Sequence, residues 1–187
     1  MPDTTWLTDH FLIAMPSMLD PNFSRGVTFV CQHTADGAMG ILINRRSDLV
    51  LSDVLAQMKL KTTIAAVANA PVYIGGPVQP ERGFVLHTPG GEWDSRFNIS
   101  PQLSVTTSRD ILAAIADGKG PRQSLVALGY AGWTAGQLDQ EILENAWLTA
   151  RSEPALIFDT PCEQRWDAAA RLVGFDPSRL SDYAGHA

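Results

Sequence analysis

The chain has 187 residues, 45% of them hydrophobic, a balance that suits one globular domain over residues 1–187 with a sizeable core. Its formal net charge is -6, from 14 Lys plus Arg against 20 Asp plus Glu, and the cations are dispersed. That disfavours the dense basic surface, with about 6 to 10 phosphate contacts, of a duplex-DNA binder. No apolar run approaches the roughly 18 residues of a membrane-spanning helix.

Phe11-Leu-Ile-Ala-Met-Pro16 is an apolar run cut by its proline, and the residues before it lack a signal or transit pattern, so the expected location is the cytoplasm. Residues 26–33 and 38–44 are rich in branched and aromatic side chains and flank a turn-forming stretch at 34–37, which predicts an antiparallel hairpin. A short helix is predicted from Ser52 through Val54, Leu55 and Met58. Further strands are predicted at 72–74, 83–87, 103–106, 124–130 and 155–158, several apolar on both faces and therefore central.

Helices are marked by their caps. Ser108 precedes a helix carrying Ile111, Leu112 and Ile115 on one face, with Gly118 to end it. A capping pattern, Thr134-Ala-Gly-Gln137, predicts a helix from Gln137 to Trp147. Thr160-Pro-Cys-Glu163 opens another that carries Trp166, Ala169, Ala170 and Val173 and closes at Gly174. Strands and helices do not alternate regularly, so the fold class is α+β: a compact domain with a largely antiparallel or mixed sheet, open to barrel-like closure, and about four packed helices.

Sequence signatures of known chemistry are absent: no phosphate-binding glycine loop, no nucleophile elbow and no metal motif. Cys31 and Cys162 stand far apart without Cys-x-x-Cys spacing and read as reduced interior residues. No cofactor or metal is implied.

Three groups remain as candidates. In residues 129–141, Tyr130 and Trp133 sit among Gly129, Gly132 and Gly136 where a strand gives way to a helix. Such an arrangement would place a stacking face and free amides around a small anionic ligand, with Gln137 at the helix start. The plainer reading packs the aromatics into the core while Gln137 and Glu141, one turn apart, support each other. Gly75 and Gly76, before Pro77, suit a tight turn whose amides face either an anion or the chain itself. Last, His33 and His87 each end a strand and would serve as acid–base groups if they met at one sheet edge, with Arg25 and Asn44 nearby in sequence.

The run at 129–141, Phe11-Leu-Ile-Ala-Met-Pro16, Ile74-Gly-Gly-Pro-Val78 and Ala184-Gly-His-Ala187 together resemble the YqgE/AlgH family of bacterial proteins along essentially the whole chain. The resemblance implies a compact α+β protein of the bacterial cytoplasm, one member being linked to regulation of alginate production. It implies no catalytic or cofactor residue. Gln32 departs from the acidic residue that often precedes the family's histidine, here His33, and Arg46 from a frequent proline. The leading expectation is a non-enzymatic protein that binds a partner or small anionic ligand, with an indirect regulatory effect. Its alternatives are a transcriptional regulator acting on DNA and an enzyme with an unfamiliar site.

Overall fold

The computed structural model describes residues 6–174, so the closing motif at 184–187 lies outside the described residues. Ten strands form one mixed sheet that curls into a half barrel. They are β1 (His10–Ala14), β2 (Val27–Thr34), β3 (Gly37–Leu42), β4 (Arg46–Val50), β5 (Pro71–Ile74), β6 (Val78–His87), β7 (Arg96–Ser100), β8 (Leu103–Thr106), β9 (Ser124–Thr134) and β10 (Trp147–Arg151). The main path runs β10-β1-β2-β3-β9-β6-β8-β7, with β5 joining β9 to β4. Every pairing is antiparallel except β5 with β9. The β2–β3 hairpin closes where Thr34 pairs with Gly37, as the turn residues predict.

The described residues hold six α-helices rather than about four: α1 (Leu51–Gln57), α2 (Ala65–Ala68), α3 (Arg109–Ala116), α4 (Gln137–Leu143), α5 (Pro154–Phe158) and α6 (Arg165–Leu172). Two differences from the sequence reading have local causes. The run 155–158, read as a strand, is α5, because Pro154 fixes the first helical turn and a short apolar run fits either state. Helix α4 stops well before Trp147, since Asn145 takes a left-handed φ of 59° and turns the chain into β10. Trp147 then pairs with Ala14 across β10 and β1.

Strand β9 organises the sheet. Along one edge it pairs first with β5, from Val126 to Leu128, and then with β3, from Ala131 to Thr134. The handover falls at Gly129, whose φ of 78° bends the strand. Its other edge carries β6, with an irregularity between Val78 and Gly83 that accommodates Pro80. Both faces of the sheet are buried. Phe11 and Ile13 of β1 pack with Ile157, Trp166 and Ala169 under α5 and α6, whereas Leu12 and Ala14 pack with Trp133, Leu138 and Trp147 beside α4. A third cluster joins Val72, Val85 and Val126 to α1 and α3. Covering on both sides explains why these strands read as unbroken apolar runs.

Candidate functional site

Trp133 is 6% exposed, and Glu141 accounts for much of its setting. The Glu141 carboxylate accepts the indole N–H of Trp133 at 3.1 Å and that of Trp147 at 3.0 Å on Oε1, and the Gln137 amide at 2.9 Å on Oε2. Gln137 in turn accepts the Thr134 backbone N–H at 3.0 Å, but the helix is capped by Gly136, with a φ of 74°, and begins at Gln137, so the expected capping box at Thr134 does not form. The expected mutual support of Gln137 and Glu141 is therefore present, and it pins α4 against β9 and β10. Tyr130, three residues earlier, meets Phe84 edge-on at 5.6 Å.

Gly75 and Gly76 cross directly beside the β9 bend. The Gly75 N–H donates to Leu128 at 2.7 Å and its carbonyl accepts from Leu42 at 2.8 Å, so this amide is held by the sheet and not offered to a ligand. A side chain on either glycine would overlap backbone atoms of Gly129 or Tyr130.

His33 and His87 do not converge. His33 pairs with Ala38, which pairs with Trp133, whereas His87 pairs with Ser124, at the other end of β9. Each histidine has its own partners. His33 Nδ1 accepts the Leu7 N–H at 3.0 Å, which leaves the ring proton on Nε2, 3.4 Å from Asp139. His87 Nδ1–H donates to the Thr88 carbonyl at 2.8 Å, so Nε2 accepts the Thr106 hydroxyl at 2.7 Å. Burial pushes the His87 imidazole below its ordinary pKa, the Thr88 carbonyl opposes that, and the Arg96 charge adds to it. The unfolded chain takes up this proton near pH 6.5 and the folded chain only at lower pH, so stability falls as pH drops through that window. The wild-type melting temperature is expected to fall more steeply than that of His87→Gln between about pH 7 and about pH 5; equal slopes would remove His87 as a source of acid sensitivity.

Arg25 and Asn44 are brought together, but as a brace. Asn44 accepts the Val27 N–H at 2.9 Å and donates to the Arg25 carbonyl at 3.0 Å. Arg25, with a φ of 53°, lays its guanidinium 4.4 Å over Trp166.

A cleft of about 690 Å³ opens over the hairpin end of β2 and β3 and the adjoining parts of β6 to β9. Of the candidate residues it gathers Tyr130 and Trp133; Gly75, Gly76, His87, Gln137, Arg25, His33 and Asn44 lie elsewhere. Its walls come from β3 (Met39), β6 (Arg82, Phe84), β7 (Phe97) and β8 (Val105). Arg82 rests 5.4 Å from the Phe84 ring and Asp36 stands at the hairpin end, so the rim carries one charge of each sign around a mainly apolar floor. Phe97 is 49% exposed at the mouth. Sequence reasoning missed Met39, Arg82, Phe84 and Phe97 because none belongs to a local motif. The i, i+2 spacing of Arg82 and Phe84 was the one available sign that they share a strand face.

A sequence model of the family described as AlgH-like matches residues 11–178. A UPF0301 protein of Methylococcus capsulatus is 54% identical over 98% of both chains, and one of Nitrosococcus oceani is 52% identical over 100% of both. The solution structure of the AlgH protein from Pseudomonas aeruginosa superposes with a TM-score of 0.81 at 49% identity, covering 100% of this chain and 99% of that one. A Corynebacterium diphtheriae crystal structure shares the fold, with a TM-score of 0.70 at 24% identity over 91% and 89% of the two chains.

Proposed function

The chain belongs to the AlgH-like family, and from that premise we propose that it is a non-enzymatic cytoplasmic protein that binds a small, ring-bearing anion in the cleft beside Tyr130. What supports this reading is the cleft itself: about 690 Å³, floored by aromatic and aliphatic side chains, with the Arg82 cation at its rim. A flat apolar body would stack on Tyr130 and Phe84 while its charge met Arg82. A regulatory effect would then be indirect. Direct action on DNA is the weaker reading, because a net charge of -6 opposes the phosphate backbone. An enzymatic reading would have to start from His33 and Asp139, which pair at 3.4 Å outside the cleft.

Gly132 provides the test. A Cβ there would meet only the Tyr130 ring at 3.5 Å and Val78 at 3.9 Å, so the backbone accepts a side chain at this cleft position and Gly132→Leu sets its bulk in the cleft. Wild-type protein is expected to bind anilinonaphthalene sulfonate at one saturable site, read by fluorescence, and Gly132→Leu to weaken that binding by at least about tenfold with little change in melting temperature. Undiminished binding by Gly132→Leu would overturn the assignment of the cleft.

A further inference from the structure

Arg165 opens α6 and is only 5% exposed. Its Nε donates to the Thr160 carbonyl at 2.9 Å, its Nη1 donates to the Ile43 carbonyl, and its guanidinium carbon lies 5.1 Å from the Tyr73 ring. These contacts tie α6 to the sheet, but none carries a negative charge. The ion pairs among the described residues are Arg25 with Asp167 and His33 with Asp139, so Arg165 is a buried cation without a carboxylate. That arrangement is costly, because carbonyl dipoles and a ring face offset only part of the lost hydration.

Its remaining nitrogen, Nη2, makes no hydrogen bond among the described residues. Nor is it sealed in packed protein: Thr28 Oγ1 is the one fully enclosed, unpartnered side-chain polar atom among them. Arg165 instead lines a second cavity, of about 320 Å³, between α2, α5, β5 and the start of β9. The other walls are largely aliphatic, with Leu51, Val67, Pro71, Ile115, Leu125 and Ile157 among them. This cavity shares no lining residue with the larger cleft.

We propose that the cavity binds a small organic carboxylate with an apolar tail, the carboxylate on Nη2 of Arg165 and the tail along Val67, Ile115 and Ile157. A monoanion balances the single buried charge and supplies the missing acceptor in charge-assisted geometry. A neutral molecule would leave the charge uncompensated, and a bare inorganic anion would leave the aliphatic walls unused.

Hexanoate is the probe, with hexanol and inorganic phosphate as controls for its two halves. Titrated into the isotopically labelled full chain, hexanoate is expected to shift the Arg165 side-chain Nε–H resonance saturably and to raise the melting temperature, while neither control does so at the same concentration. The Arg165 bonds make substitutions there a risk to folding, so the blocking variant is Ala66→Phe, at an exposed position of the cavity wall. It is expected to weaken hexanoate at least about tenfold while its own melting temperature stays near wild type. An unmoved Arg165 resonance, an equal response to hexanol or phosphate, or undiminished binding by Ala66→Phe would overturn the proposal.

Discussion

Replacing Trp133 with alanine is expected to lower stability by about 3 to 5 kcal/mol, and the melting temperature by roughly 10 °C for a domain of this size. Trp133 packs between Phe23 and Trp147, with ring centroids 6.2 Å from each. Alanine would leave a cavity among these rings and take one of the two indole donors from Glu141 Oε1. The companion variant Trp133→Phe keeps most of the volume and deletes the N–H, so it should cost about 1.5 to 3 kcal/mol, in the range of a lost hydrogen bond to a charged group. Equilibrium urea unfolding of the pair separates packing from hydrogen bonding. If the alanine variant lost less than about 1 kcal/mol, Trp133 would serve the cleft wall without contributing to the core.

The same residue shows how far the sequence can be read. Two aromatics among three glycines marked 129–141 as a special corner, and a close Gln137–Glu141 pair was legible from helical spacing. What spacing along the chain did not reveal was the second indole: Trp147 reaches Glu141 only because Asn145 breaks α4 and returns the chain as β10. Asparagine favours the left-handed conformation just after a helix, but the apolar spacing of Leu138, Ile142 and Ala146 runs on past Asn145 and masks that stop. The hairpin of β2 and β3 was legible because its turn residues and strand patterns are adjacent in sequence. The cleft was not. Its lining comes from β2, β3, β6, β7, β8 and β9 and depends on which strands become neighbours. The histidines illustrate the same gap in reverse, since both end strands yet register places them at opposite ends of β9. Likewise Arg165 sits in an amphipathic segment where an arginine is unremarkable; only the packing of α6 against Tyr73 and Ile43 buries it.

Gly76→Ala is expected to be at least as damaging as Trp133→Ala, costing about 4 kcal/mol or more and leaving little folded protein near body temperature. Gly76 has a φ of 157°, in the half of conformational space that residues with a Cβ rarely occupy. A Cβ added there would fall on the Tyr130 carbonyl and the Ala131 nitrogen, well inside the 3.0 Å that real Cβ atoms respect. Side chains can yield to such a contact, but here the obstacle is backbone. β9 is the obstacle's strand, and it is pinned by β3 on one edge and β6 on the other, with little freedom to retreat. The crossing also sets the bend at Gly129, and that bend aims Tyr130 into the cleft while Trp133 turns toward α4. Gly132→Ala is the matched control on the same strand, where the added methyl meets ordinary contacts at 3.5 and 3.9 Å. It should remain within about 1 kcal/mol of wild type. Urea midpoints measured side by side test the contrast. Near-equal stabilities for the two alanine variants would mean that the chain crossing at Gly76 relaxes, and the bend that orients the cleft would then need a cause other than close backbone packing.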